Sequence, residues 1–228
     1  MGILNLSKLT KTQINRLQEL HCRHGHSFLD HQACILTEKP DIEGLHRHLG
    51  FFDIESTHLK ANLGYMSCYK IWDPDNDKMY GRALSGKEIT SFEFDRGLIG
   101  ELVTDLKRFT HLVGYYCKDR RHDFPFVRTR AMKFGVPFPQ YGELQVIDLY
   151  DMAKNKMSLH SYRLQVVCEE LGIPAKGHPL VGDIWIKSAC GHQPSLDYID
   201  LHCEEDVRCL PPVLDILEPF YRALKLSV

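Results

Sequence analysis

The chain has 228 residues, of which 43% are hydrophobic and 25% are charged, and its formal net charge is −2 at pH 7. These values are typical of a globular protein and exclude binding to nucleic acid through a strongly basic overall charge. The eight cysteines are scattered along the chain, which favours reduced thiols over a dense disulfide framework. The sequence begins with no signal-peptide pattern and has no apolar run near the ~20 residues of a membrane span. We therefore expect a soluble, cytoplasmic protein that does not contact a membrane.

The hydrophobic pattern predicts an α/β protein in which strands come early and alternate with helices later. We expect residues 1–47 to form a small N-terminal extension, with a helix at 11–21, and residues 48–228 to form one domain. Turn chemistry at 73–77 predicts a hairpin. The other predicted elements are extended segments at 49–57, 62–72, 78–84, 111–117 and 144–149, helices at 94–108 and 162–171, a loop and then a helix at 120–134, and a mostly helical region at 180–224 punctuated by Gly191 and several prolines.

Asp53 and Glu55 lie two residues apart in the apolar, aromatic segment 49–57. Side chains two residues apart on a strand point to the same face, so these two carboxylates should project together. Two neighbouring negative charges are costly unless a cation lies between them, and a divalent ion with oxygen ligands is the usual solution. For this pair alone, a half-exposed edge strand with solvated acids explains the pattern as well.

Two further acids are candidates for the same site. Asp123 comes shortly after the strand at 111–117, and Asp206 lies in the C-terminal helical region. On that helix, Tyr198, His202 and Asp206 are spaced by four residues and therefore share one face. Residues so far apart in the sequence meet only if the fold brings them together.

Four segments resemble, in order, the motifs of the DEDD 3′–5′ exonucleases: 52–57, 113–126, the connecting helix at 159–172, and 202–206. The similarity covers residues 48–212 and is greatest to the proofreading domain of family B DNA polymerases and to related stand-alone predicted exonucleases. The resemblance implies a ribonuclease-H-like mixed β-sheet flanked by helices. It also implies a substrate with a free 3′ end, either DNA or RNA.

The resemblance further implies hydrolysis of phosphodiester bonds with two Mg²⁺ or Mn²⁺ ions. In this reading Asp53 bridges both ions, while Glu55 and Asp206 hold the ion that lowers the pKa of the attacking water. Asp123 anchors the second ion near the leaving oxygen. The four acids together therefore form the expected catalytic and metal-binding set.

The chain departs from the family pattern around its second motif. His122 stands where the family usually has an aromatic residue before the acid, and Tyr116 stands near the position of a family Asn. The loop between them is longer than usual, so Asp119 competes with Asp123 for the role of second-motif acid.

The third motif also departs from the pattern. One subclass of the family has Tyr four residues before the last acid, and the other has His five residues before it; here His202 precedes Asp206 by four. A histidine that titrates near neutrality suits a general base, so we expect His202 to activate water. Glu204, Glu205 and Tyr198 are the alternatives if His202 is only a partly exposed helix residue.

Substrate contacts are expected on both sides of these acids. The residues that we expect to contact nucleic acid are Ser56, Thr57, Tyr116, Arg121, Ser161 and Tyr162. A group of basic side chains surrounds the second motif, and these side chains either contact phosphates or are solvated charges of a helix. They are Lys118, Arg120, Arg121, Arg128, Arg130 and Lys133.

Residues 22–34 concentrate thiols and imidazoles. Cys22, His26, His31 and Cys34 have the spacing C-x3-H-x4-H-x2-C, with His24 as an alternative to either histidine. These ligand types suit tetrahedral Zn²⁺, so one structural zinc ion is a second expected cofactor. An ordinary helix–turn element with surface histidines is the competing interpretation.

The leading functional interpretation is a metal-dependent 3′–5′ exonuclease. The same metal chemistry is compatible with an endonuclease or structure-specific nuclease, because the acids alone do not dictate recognition of an end. A nucleic-acid-binding protein with a spent site is the alternative from a different class, and the presence of all four acids argues against it.

Overall fold

The computed structural model describes residues 11–28, 30, 34, 48–140, 143–174 and 177–220. Its centre is a five-stranded sheet of order β3-β2-β1-β4-β5. Strands β1 and β2 pair antiparallel, as do β2 and β3, whereas β1–β4 and β4–β5 pair in parallel. The prediction of a mixed sheet is confirmed. The strands are β1 Leu49–Ser56, β2 Met66–Asp73, β3 Lys78–Tyr80, β4 His111–Gly114 and β5 Gln145–Asp148.

Helices flank the sheet, as the sequence predicted. Two of them, α2 and α5, were not predicted, because α2 is only five residues long and α5 follows β5 without a loop. A capping box between Ser85 and Glu88 starts α2. The helices are α1 Lys11–Glu19, α2 Gly86–Thr90, α3 Arg96–Leu106, α4 Asp123–Phe134, α5 Leu149–Lys156, α6 Leu164–Glu170, α7 Gly182–Ala189 and α8 Gln193–Leu217, with a 3₁₀ turn at Glu218–Phe220.

Alternation along β1 divides the core into two clusters. Phe52 packs in the cluster that contains α3 residues such as Leu102, while its neighbour Phe51 packs in the cluster that contains α8 residues such as Val213. Residues two apart on a strand share a face, so Asp53 and Glu55 lie on the α8 side with Phe51. The register of one buried strand therefore aims both acids at the last long helix.

Helix α8 runs through two prolines at which the sequence had suggested an interruption. Pro211 and Pro212 lie inside it, and each lacks the N–H that would bond to the preceding turn. The buried side chains of Val207, Leu210 and Val213 surround the prolines and hold this part of the helix against the sheet. Burial of apolar surface thus offsets the lost hydrogen bonds.

Arg130 is a buried structural residue and not a surface contact for phosphate, which corrects one sequence-based expectation. Its guanidinium donates two hydrogen bonds to Asp95, whose side chain is fully buried. Arg130 also donates to the carbonyl of Ala61 at 3.1 Å, and Asp95 accepts the N–H of Met66 at 2.9 Å. The pair therefore ties α4, the segment before α3, and both sides of the β1–β2 connection together.

Candidate active site

Strand β1 and helix α8 bring Glu55, His202 and Asp206 together. One potential ligand atom from each lies within 4.8 Å of the other two. Nε2 of His202 lies 3.5 Å from Oε1 of Glu55 and 3.8 Å from Oδ2 of Asp206. Two residues one helical turn apart thus face the end of the strand that carries Glu55.

Asp123, the first residue of α4, completes the acid group and is only 4% exposed. Its Oδ2 atom is buried and accepts no hydrogen bond from the residues that the structure describes. Burial raises the pKa of Asp123 well above its usual range, and the charges of Asp53 and Glu55 add to this effect. The four acids that the sequence singled out therefore act electrostatically on one another, and we call them the acid site.

Asp119, the competing second-motif acid, lies outside this group. Its side chain is 67% exposed, and its Oδ1 atom forms an ion pair with Arg128 at 2.6 Å. An exposed carboxylate with a surface partner lacks the burial that distinguishes Asp123.

The donor set of the acid site fits divalent cations. Carboxylate oxygens are the hard ligands that Mg²⁺ and Mn²⁺ prefer, and the buried Oδ2 of Asp123 is an acceptor that an ion would satisfy. Lys70, the cross-strand neighbour of Asp53, forms an ion pair with Asp200 at 2.7 Å. The ammonium of Lys70 is therefore engaged by Asp200, and a divalent cation would add positive charge among the carboxylates of the acid site.

The ring of His202 is oriented by a backbone carbonyl. Its Nδ1 atom lies 2.5 Å from the carbonyl oxygen of His178. A carbonyl only accepts hydrogen bonds, so Nδ1 carries the proton. In the neutral ring, Nε2 then presents its lone pair toward Glu55 and Asp206, which is the tautomer that a general base requires.

The segment 177–179, which supplies this carbonyl, is itself held by α8. Oε1 of Glu205 lies 2.6 Å from Nδ1 of His178, and Oε2 accepts the His178 N–H at 3.2 Å. The hydroxyl of Tyr198 donates to the carbonyl of Pro179 at 3.3 Å. Glu205 and Tyr198, which were alternatives to His202 as the base, therefore hold the segment whose carbonyl orients the ring of His202. The third alternative, Glu204, forms an i,i+4 ion pair along the helix.

Asp148 is a buried acid that the sequence analysis missed. It accepts hydrogen bonds from the backbone N–H groups of Tyr116, Lys118 and Tyr150, at 2.8, 3.1 and 3.0 Å. Burial raises its pKa, which these three donors oppose, and its charge also raises the pKa of Asp123. Asp148 lies near the end of the predicted extended segment 144–149 and caps the helix that follows, and an Asp at such a position is a helix-capping signal that could have identified it.

Three of the predicted substrate contacts line one aromatic cavity of about 430 Å³. Arg121 lies beside it, with its guanidinium 5.0 Å from the ring centre of Tyr116 and 4.8 Å from that of Tyr150. Arg121 also pairs with Asp151 at 3.0 Å, so its charge is partly neutralised. We call this cavity the tyrosine groove; its lining residues are Tyr115, Tyr116, Tyr150, Ser161, Tyr162, Arg163 and Leu164.

The other two predicted contacts, Ser56 and Thr57, line a second cavity of about 360 Å³ that includes Glu55. Oγ of Ser56 is hydrogen-bonded to Nε2 of His122 at 3.0 Å. Burial lowers the pKa of His122, which favours its neutral form at pH 7. We call this cavity the end pocket; its remaining lining residues, Ile54, His58, Leu59 and Trp185, were not predicted as substrate contacts.

The predicted zinc ligands are described only in part. Cys22, His26 and Cys34 lie among the described residues, and His31 lies outside them. The potential ligand atoms of Cys22, His24 and Cys34 all lie within 4.8 Å of one another. The alternative ligand His24 is therefore the histidine that joins the two thiols, while Nδ1 of His26 lies 3.8 Å from Sγ of Cys22.

Comparison with known families gives one match. The family model RNase_H_2, of the RNase_H superfamily, matches residues 50–218, which include all four acids and His202. Among curated protein sequences, none matches this chain. Within the described residues, every helix is too short or too polar to cross a membrane.

Proposed function

The chain belongs to the ribonuclease H superfamily, and we propose that within it the chain is a metal-dependent 3′–5′ exonuclease. The superfamily indicates a nuclease-type activity on nucleic acid. The observation that supports the finer proposal is the cluster of Glu55, His202 and Asp206. The buried Asp123 adds to it, because its pKa is raised by burial and by the charges of the acids on β1 and α8.

In this proposal Asp53, Glu55, Asp123 and Asp206 would hold two Mg²⁺ or Mn²⁺ ions. When bound, the ions neutralise charge on the attacking and leaving oxygens of the phosphodiester. Asp123 has the buried, unsatisfied oxygen that such an ion would complete. The protein contributes the fixed positions of the four carboxylates, which β1, α4 and α8 hold.

His202 acts as the general base. Nε2 takes a proton from the attacking water, while Nδ1–H keeps its hydrogen bond to the carbonyl of His178 and so holds the ring in place. The resulting imidazolium is stabilised by Glu55 and Asp206, which lie 3.5 and 3.8 Å from Nε2. A proton is thus accepted beside the scissile bond without a change in the orientation of the ring.

The two cavities support recognition of a strand end. The end pocket adjoins Glu55 and is within the ~300–1,000 Å³ range of small-ligand sites, so it suits one terminal nucleotide. Leu59, 74% exposed, and Trp185 offer apolar surface to a base there. The tyrosine groove supplies aromatic rings on which preceding bases stack, a contact that tolerates any sequence.

The proposal is tested with 5′-labelled linear single- and double-stranded DNA and RNA, in Mg²⁺, Mn²⁺ or EDTA. We expect metal-dependent shortening by single nucleotides from the 3′ end and release of mononucleotides. Circular single-stranded substrates should resist cleavage. Cleavage of circles into internal fragments would replace the exonuclease proposal with an endonuclease.

A pair of variants ties the activity to the acid site. Asp53→Asn should abolish cleavage while the protein remains folded, because one of the carboxylates that would hold the metal ions is lost. Asp119→Asn is the matched control, since this exposed acid lies outside the site and should be dispensable. Binding without cleavage in the wild-type chain would indicate a nucleic-acid-binding protein with a spent site.

A further inference from the structure

The residues around Cys22 fold into a tight turn. The N–H of Cys22 donates to the carbonyl of His26 at 3.0 Å, and the N–H of Gly25 donates to the carbonyl of Cys22 at 2.8 Å. Gly25 has a φ of +79°, a left-handed conformation that glycine adopts without strain. An antiparallel bridge between His21 and Ser27 closes the turn. We call residues 21–27 together with Cys34 the knuckle.

The spacing of side-chain atoms in the knuckle matches a metal site. Nδ1 of His24 lies 3.8 Å from Sγ of Cys22 and 3.5 Å from Sγ of Cys34. Nδ1 of His26 also lies 3.8 Å from Sγ of Cys22. Tetrahedral zinc with Zn–S of about 2.3 Å and Zn–N of about 2.0–2.1 Å requires S···N separations of about 3.6 Å. The observed distances are therefore near those that a shared zinc ion would impose.

We propose that the knuckle binds one structural Zn²⁺ through Cys22, His24 and Cys34, whose potential ligand atoms lie within 4.8 Å of one another. His26, whose Nδ1 atom lies 3.8 Å from Sγ of Cys22, is the candidate for the fourth ligand. Two thiolates and two imidazoles are a soft and borderline donor set, which selects zinc over magnesium. This ion is separate from those of the acid site, whose donors are carboxylates. The proposal is therefore independent of the nuclease assignment.

The size of this element explains why it would need a metal ion. Helix α1 has nine residues, fewer than an isolated helix needs for stability in water. Among the described residues of this element, Leu17 and Phe28 are fully buried and Cys22 is buried, and three such side chains by themselves contribute little to stability. Zinc joins Cys34 to the turn and so adds its binding free energy to folding of the element.

The first test is metal content. The chain, purified without a histidine tag or chelators, should contain about one zinc ion, and Asp53→Asn should retain it. The double variant Cys22→Ser/Cys34→Ser should lose it. Cys190→Ser is the matched control, since this exposed cysteine lies elsewhere in the chain and its loss should leave the zinc content unchanged.

A spectroscopic test on the wild-type chain does not depend on the folding of any variant. After removal of zinc, titration with Co²⁺ should produce a thiolate-to-cobalt charge-transfer band and intense visible bands of a tetrahedral ion. Added Zn²⁺ should abolish both. His24→Ala and His26→Ala should weaken cobalt binding, and an unchanged spectrum in His26→Ala would remove this residue from the site.

Two results would overturn the zinc proposal. One is a wild-type chain without zinc that also gives no charge-transfer band with Co²⁺. The other is full zinc content in the double serine variant, provided that circular dichroism shows it to be folded.

Discussion

The acid site and the knuckle both gather potential metal ligands, but the chain assembles them in opposite ways. The acid site takes residues from β1, from α4 and from α8, so it exists only when the whole sheet has formed. The knuckle takes Cys22, His24 and His26 from one turn, closed by local hydrogen bonds, and adds Cys34. A site built locally can be recognised from ligand spacing, whereas one built by tertiary contacts requires a motif or a structure.

The largest expected effect concerns a difference between histidines in the two regions. In the zinc site proposed for the knuckle a histidine would serve as a ligand, whereas His202 should act as a base and not as a ligand of an ion. His202→Ala should therefore reduce the cleavage rate by about 10²–10⁴-fold while Mn²⁺ affinity is retained. Single-turnover cleavage and calorimetric titration with Mn²⁺ measure the two quantities separately.

Replacement by tyrosine sharpens this test. His202→Tyr introduces the residue that one subclass of DEDD exonucleases has at this spacing, and it should recover part of the lost rate. Near wild-type turnover in His202→Ala would eliminate this residue as the base.

A smaller effect is expected from residues that surround the acid site without belonging to it. Glu205→Gln weakens the contacts that hold His178 and so allows the ring of His202 to rotate. Loss of such an orienting contact typically costs about 10–100-fold in activity. Glu204→Gln is the control on the same helix, with its ion pair along the surface.

The smallest expected effect is on thermal stability, and it arises from burial of Asp123 and from repulsion between the neighbouring carboxylates. Burial, with the neighbouring acids, raises the pKa of Asp123 in the folded protein. Because the folded state favours protonated Asp123, this residue contributes to the free energy of unfolding. That contribution is complete below the unfolded pKa of about 3.9 and is lost as the pH rises through the raised pKa of the folded state. Without metal, Asp123→Asn should therefore raise the melting temperature at neutral pH by on the order of a few °C.

Thermal melts in EDTA across pH 4–8 measure this difference. The variant should gain little at the acid end of the range and most at neutral pH, and Mg²⁺ should stabilise the wild type more than the variant. Asp119→Asn should leave the profile unchanged. Equal melting temperatures of Asp123→Asn and wild type at every pH would contradict the electrostatic account of this site.

Much of the fold was predictable because the local sequence patterns agree with the secondary structure that the tertiary fold contains. The aromatic run around Asp53 forms β1, the turn residues at 73–77 join β2 to β3, and the four-residue spacing of His202 and Asp206 places them on one face of α8. The turn follows from its own residues, whereas β1 and α8 are recognisable because their apolar side chains are buried in the core. Periodicity reports that burial directly.

Other features depend on partners that no local pattern reveals. Arg130 looks like a surface charge in the sequence, but Asp95 makes it a buried structural residue. Asp148 is recognisable as a possible helix cap, yet its bonds to the loop before Asp123 require the fold. The carbonyl of His178 carries no side-chain signal at all, although it determines the tautomer of His202.

The buried pair of Arg130 and Asp95 has a consequence for how a duplex would be degraded. Its hydrogen bonds to Ala61 and Met66, together with the bonds between Thr57 and Tyr65, fix the chain segment that forms a wall of the end pocket. If the chain is the proposed exonuclease, these bonds would disfavour opening of the wall to admit paired bases, and the last base pair would then fray before its 3′ nucleotide enters. We therefore expect A·T-rich duplex ends to be degraded faster than G·C-rich ends, with single strands insensitive to this difference. Fraying of the duplex end, and not a movement of the protein, would then limit the rate of degradation.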